Sequence, residues 1–272
     1  MKKMTALLIA LLLTLAAVCA LAKTDGDYEY ALRRDGTAKI TSYKGTDTIL
    51  VIPDTLGGRT VTGIERDAFR DCAMLTEVTL PGTVVYMGSN PFRGCLSLKA
   101  IRIAGKSRNY SVQDGVLFTS DGHQLISYPL GMEGTAYAVP AGTRNIGPGA
   151  FCGSQLKSVT LPDSTAFIGT DAFRDCAMLT EIALPETVTE IGAGAFRGCL
   201  SLTRLNLPSG MTQIGANAFR SCSALTEMRV PETVTSIGSK AFYGCGVLTL
   251  TVKTGSRAAR YAKANGISCR EE

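Results

Sequence analysis

Six cysteines occupy one recurring place in this chain: Cys72, Cys95, Cys176, Cys199, Cys222 and Cys245 each lie three residues after a phenylalanine. Cys152 follows Phe151 directly, and Cys269 lies near the end. Thiols at a fixed period admit three chemistries: a disulfide framework, thiolate ligation of a metal, or nucleophilic catalysis. Zinc ligation requires C-x-x-C pairs or several histidines, and the chain has neither; its one histidine is His123. As a catalytic base, His123 would have to be held rigidly against a thiol or hydroxyl. It stands instead in Ser120-Asp121-Gly122-His123, which reads as a solvated hairpin turn. Glycine loops of the G-x-x-x-x-G-K-[ST] type, the H-E-x-x-H pair and the EF-hand pattern are missing. The residues therefore predict no catalytic, cofactor-binding or metal site, and the chain is not expected to be an enzyme.

What positions the thiols is a repeat. Phe69 and Phe92 lie 23 residues apart, and Phe151, Phe173, Phe196, Phe219 and Phe242 follow one another at 22, 23, 23 and 23. The frame is complete from Leu184-Pro185 through Val188, Ile191-Gly192 and Ala195-Phe196 to Cys199 and Leu202. Apolar alternation, as in Val78/Leu80, Ile182/Leu184 and Leu205/Leu207, makes a short strand with one face inward. The proline that follows lacks an N–H and ends the ladder. The glycine of each Ile-Gly pair suits a turn through positive φ, and the phenylalanine fills the interior.

One unit cannot fold alone. About five large apolar side chains contribute roughly 2 kcal/mol each, while ordering each residue costs about 1–2 kcal/mol. The units must therefore stack, about 4.8 Å per step, into a continuous superhelix. Asp67 to Glu77 is identical to Asp171 to Glu181, and Phe92 to Leu98 to Phe196 to Leu202, both at an offset of 104, as if a pair of units had been copied. Stacking also bears on the thiols. In-register cysteines have parallel Cβ vectors about 4.8 Å apart, beyond the roughly 3.5–4.5 Å that a disulfide wants. A column of packed, reduced thiols is the expectation, with a disulfide framework as the competing one.

The first residues indicate the compartment. Lys2 and Lys3, an apolar run from Ala6 to Val18 and the A-x-A pattern Ala20-Leu21-Ala22 predict a secretory signal peptide over residues 1–22. The run is shorter than the roughly 20 residues of a bilayer span. Its removal takes Lys2 and Lys3 from the 28 basic residues and leaves 26 − 23 = +3 of net charge. No Lys/Arg cluster stands out, so nucleic acid is not an expected partner. No second membrane-length run occurs, and the expected product is a secreted or surface-held monomer.

The frame L-P-x-x-V-x-x-I-G-x-x-A-F-x-x-C-x-x-L resembles the BspA-like bacterial leucine-rich repeats of secreted and surface proteins. The resemblance implies a leucine-rich repeat solenoid, a β-rich right-handed superhelix, over residues 64–253. It gives residues 23–63 as an N-terminal β-hairpin unit and residues 254–272 as a C-terminal cap and tail. Ser256 as N-cap, an alanine-rich helix and Gly266 as stop agree with a capping helix. The 59 residues from Phe92 to Phe151 exceed two units by 13. They are expected to hold a hairpin, Val116-Leu117-Phe118-Thr119 against Leu125 to Tyr128, within an insert at 104–136. Glu65 in place of the repeat glycine, Pro91 before Phe92 and Ile103-Ala104 in place of Leu-Pro depart from the frame. The resemblance further implies adhesion to host matrix or plasma glycoproteins, or a role as surface antigen.

The ordered polar surface of such a solenoid is its outward strand face. Glu77, Glu181, Arg204 and Glu227 fall in one expected column, and Arg102, Asn206 and Arg229 in its neighbour. These seven are the candidate binding surface for extracellular proteins. Glu181, Arg204 and Glu227 could instead pair with one another across strands and merely solvate the face. Glycan binding is the alternative, with Tyr86, Tyr110, Tyr137 and Tyr243 as its exposed aromatic candidates and no tryptophan to join them. A structural spacer in an envelope assembly is the third reading.

Overall fold

The structure, a computed structural model, describes residues 22–272, so the expected signal peptide lies outside the described residues except for Ala22. The chain winds into a solenoid with about 23 residues per turn. In each regular coil a first strand such as Glu181–Ala183 leads into a proline turn, with the Val188 amide donating to the Pro185 carbonyl at 3.0 Å. A second short strand, Glu190–Ile191, follows, and then a corner turn carrying Ala195 and Phe196.

From the insert onward the second strands stack into one eight-stranded sheet that begins at Tyr110–Gln113 and ends at Ser236–Ile237, while the earlier ones, Arg59–Ile64 and Tyr86–Met87, join a separate six-stranded sheet with the N-terminal strands. The first strands form three shorter parallel ladders. These join Ile49–Val51, Glu77–Pro81 and Ala100–Ala104; then Ala136–Ala138, Ser158–Thr160 and Glu181–Ala183; then Glu227–Val230, Thr249–Val252 and Ser268–Glu271. Between the second and third ladders the strand expected at Leu205/Leu207 reduces to a single bridge, Arg204 to Glu227. Pro81 is itself the last paired residue of its strand, opposite Ala104.

The corners are stitched by backbone as well. Gly194, Phe196 and Gly198 donate their amides to the carbonyls of Ala216, Ala218 and Arg220, each at 2.8 Å. Inside, the rings of Phe151, Phe173, Phe196, Phe219 and Phe242 stack face to face at centroid distances of 5.0, 5.3, 5.5 and 5.3 Å. Tyrosines complete the column: Tyr43 lies on Phe69, Tyr128 on Phe151, and Tyr261 meets Phe242 edge-on.

The repeat glycines work differently from the expectation. Gly192 and Gly215 do not have positive φ. Each lies so close to the coil before it that a Cβ would stand 2.6 Å from the Thr170 nitrogen or 2.5 Å from the Ala193 nitrogen. Positive φ falls instead two residues before and two after each phenylalanine, at Asp171 and Asp175, Gly194 and Gly198, Asn217 and Ser221. Glu65 replaces the glycine where no full coil lies behind it, and its carboxylate pairs with Lys39.

The insert is not an appendage. It contains three strands, Tyr110–Gln113, Val116–Thr119 and Gln124–Ser127, and the last lies parallel to Asn145–Ile146 as one more rung of the long sheet. Val116 and Phe118 belong to the C-terminal interior, while Leu117 between them belongs to the N-terminal one. The strand alternation thus makes the insert a splice between two cores.

At the far end Ser256 caps the helix Arg257–Asn265 by accepting the Ala259 amide, and Gly266 ends it in the left-handed region. The residues beyond the helix form a strand, Ser268–Glu271, where a tail was expected. No helix among the described residues is long and apolar enough to cross a membrane.

Candidate functional site

The thiol column has a structural use. Cys199 Sγ lies 3.1 Å from the Phe173 carbonyl oxygen of the coil before it, and Cys95, Cys176, Cys222 and Cys245 repeat this contact at 2.9–3.0 Å. The Phe196 carbonyl, for example, accepts both the Cys199 amide and the Cys222 thiol. A small side chain with a donor fits between coils there, and a disulfide would remove the donor. All eight described cysteines are free thiols.

Burial pushes the Cys176 thiol well above its ordinary range and Cys245 up to about 12. Cys199 is raised by the neighbouring Cys222 thiol and then by burial. Neutral buried thiols are poor nucleophiles. Cys72 heads the column half-buried and is lowered, chiefly by the neighbouring Cys95 thiol.

His123 does not approach them. Its Nδ1 lies 3.3 Å from Asp121 Oδ2 at the exposed hairpin turn. Asp121 accepts the Thr119 hydroxyl at 2.6 Å and the His123 amide at 3.0 Å, which hold its carboxyl below the usual range. The trio closes a turn, and among the described residues no thiol or hydroxyl bonds the imidazole. No cluster of three His, Cys, Asp or Glu side chains among those residues is placed to hold a metal ion.

The strand face is real but divided. Arg102 Nε lies 2.7 Å from Glu77 Oε1 on the first ladder, and Arg229 is bidentate to Glu272 on the third, at 2.5 and 3.2 Å. Glu181, Arg204, Asn206 and Glu227 stand exposed on the second ladder and the bridge to the third. The cross-strand pairing considered for Glu181, Arg204 and Glu227 is not made; none has an opposite charge within 4 Å among the described residues.

Between the first and second ladders the Asp114-Gly115 turn of the insert docks on Ile101, the Ile101 amide donating to the Gly115 carbonyl at 2.9 Å. It leaves an open groove of about 580 Å3 beside Arg102 and Asp114. That two-residue turn, with φ of +49° and +81°, was signalled by Asp-Gly between apolar runs, yet it stands outside the expected hairpin.

Sequence reasoning also missed an apolar rim. Ile49 and Val51 face outward on the first ladder, 63% and 65% exposed, and Met74 and Leu96 stand beside it. Met178, Leu200 and Val247 continue the rim along the later coils. Each of these five rim residues lies four or five residues after the repeat phenylalanine, so the period itself carries the signal. The tyrosines do not assemble. Tyr110 is half-buried, and Tyr137 packs against Tyr128 at 4.9 Å, which leaves Tyr86 and Tyr243 exposed at separate places.

Residues 49–120 and 144–262 match the profile of the BspA type leucine rich repeat region, in six copies. Among solved structures, the chain is similar to a leucine rich cell surface protein from Faecalibacterium prausnitzii. The two are 25% identical with a TM-score of 0.59, over 91% of this chain and 97% of that one. The pneumococcal vaccine antigen PcpA shares the fold at 17% identity and a TM-score of 0.53, over 93% and 99% of the two chains. A Treponema pallidum leucine rich repeat protein is 27% identical over 92% and 98%, with a TM-score of 0.44. No curated protein matches the sequence.

Proposed function

The chain belongs to the BspA-type leucine-rich repeat family, and on that premise we propose that it is a secreted or cell-surface module that binds extracellular proteins through its outward strand face. The observation that carries this reading is the composition of that face. Unpaired Glu181 and Glu227 on their strands, and Arg204 at the bridge between them, stand beside the exposed apolar rim of Met178, Leu200 and Val247. Exposed apolar side chains next to uncompensated charge suit a protein surface of mixed character, where apolar contacts give affinity and charges give register. The cell-surface description of the Faecalibacterium relative supports the compartment, as does the signal-like start of the sequence. Host matrix and plasma glycoproteins are the partners that the family suggests. Binding, not catalysis, is the activity proposed, with no cofactor.

The test is capture of a panel of immobilised plasma and matrix glycoproteins by the wild type and by a triple variant, Glu181→Lys/Arg204→Glu/Glu227→Lys. The substitutions leave the interior untouched, so circular dichroism and thermal unfolding are expected to be unchanged. Binding should fall by about tenfold or more at low salt, with a smaller fall at high salt, where screening weakens the charges. Wild-type binding by the variant would move the site off this face.

A further inference from the structure

In the four successive coils of Phe151, Phe173, Phe196 and Phe219, three alternate amides of one interior corner meet three alternate carbonyls of the next. In the coil of Phe219, the amides of Asn217, Phe219 and Ser221 donate to the carbonyls of Ser239, Ala241 and Tyr243 at 2.9, 2.7 and 2.7 Å. The coil that follows is the last among the described residues. Its equivalent amides, those of Lys240, Phe242 and Gly244, have no acceptor among the described residues. Lys240 and Gly244 hold φ of +56° and +81°, as Asn217 and Ser221 hold +56° and +61° one coil earlier, so the three donors keep their direction along the stack.

The C-terminal cap leaves this corner open. Its helix covers the Phe242 ring with Tyr261, whose hydroxyl accepts the intervening Ala241 amide at 2.9 Å. Its strand Ser268–Glu271 extends only the outward ladder. Between corner and helix end lies a notch of about 250 Å3 that Lys240 and Tyr243 line and no acidic residue does. Arg220 adds a second cation, its guanidinium 5.3 Å from the Tyr243 ring centre.

We propose that this notch binds an extended acidic peptide segment of another protein, whose main chain takes the place of the absent next coil. Three carbonyls on alternate residues accept the three amides, as they do for the coils of Phe151 to Phe219, and the peptide's carboxylates face Lys240 and Arg220. This is strand addition at an open edge, in which the main chain supplies affinity and the flanking charges supply selection. Tyr261 already occupies the ring position, so the residues facing inward must be small. The site is separate from the outward strand face, and either can fail without the other.

The test uses the full chain and two synthetic pentapeptides, the amidated acetyl forms of Asp-Gly-Ala-Gly-Asp and Lys-Gly-Ala-Gly-Lys, with sulfate as a control anion. Amide NMR should show saturable shifts of Lys240, Phe242 and Gly244 with the acidic peptide only. Gly246→Trp fills the notch from a position where an added Cβ meets nothing within 4 Å, and it should abolish the shifts. Lys240→Glu should weaken binding about fivefold at low salt. Equal binding of the lysine peptide, equal shifts with sulfate alone, or undiminished binding by Gly246→Trp or Lys240→Glu would each overturn the proposal.

Discussion

Phe219→Ala is expected to destabilise the protein by about 3–5 kcal/mol. The ring is fully buried, with Phe196 stacked on one face at 5.5 Å and Phe242 on the other at 5.3 Å. Truncation opens a cavity that the coils cannot close, because hydrogen bonds from the Phe196 amide to Ala218 and from the Phe219 amide to Ala241 fix the spacing on either side. Phe242→Ala should lose less. Its outer face meets Tyr261 edge-on at 6.1 Å beside the open notch, so the capping helix can settle toward the gap. Denaturant titration of both variants reads the difference. Equal small losses would mean that the ring column does not hold the coils together.

The second large effect is alkaline. An unfolded thiol titrates near pH 8.5, whereas Cys176 and Cys199 are held well above that, by burial and, for Cys199, by the neighbouring Cys222 thiol. The fold therefore favours their neutral form. The stability this represents is complete below the unfolded value and is lost as pH rises from there toward the folded values. One unit above, near pH 9.5, each of the two contributes a loss of roughly 1 kcal/mol. Cys245, raised to about 12, adds in the same direction. Unperturbed tyrosines titrate near pH 10, and burial raises Tyr28 and Tyr137 to about 12, so the step begins with the thiols. Urea midpoints under reducing conditions should drop between about pH 7.5 and 9.5, and a Cys176→Ala/Cys199→Ala variant should drop less. Identical slopes would show that these thiols ionise freely in the folded chain.

How much of this was legible follows from how strongly a repeat repeats. The phenylalanine period, the inward strand alternation and the Ser256 and Gly266 helix signals are local and recur, and each appears in the fold where its spacing placed it. Tyr128 was legible too, since it stands 23 residues before Phe151; it turns the long gap into one coil of 23 and one of 36. What escaped was contact between coils. The need for Gly192 comes from the Thr170 backbone 22 residues earlier, and no local turn rule expresses it. The Cys222 thiol was placed in the interior by its period, but its bond to the Phe196 carbonyl depends on the registration of two coils. On the face, identity was readable and partnership was not. Arg229 is occupied by Glu272, which reaches it only because the last residues form a strand. The division of the face into three ladders depends on the insert turn at Asp114-Gly115 and on the lone bridge at Arg204.

The docking role of the outward face is tested most directly by carbodiimide labelling of carboxylates, read by mass spectrometry with and without a captured glycoprotein. Glu181 and Glu227 stand on that face, whereas Asp163 and Glu186 lie at the proline turns beyond its edge and serve as internal controls. The expected result is that labelling of Glu181 and Glu227 falls several-fold on binding while the controls are unchanged. Protection of the controls with Glu181 and Glu227 still fully labelled would contradict it and place the contact elsewhere on the solenoid.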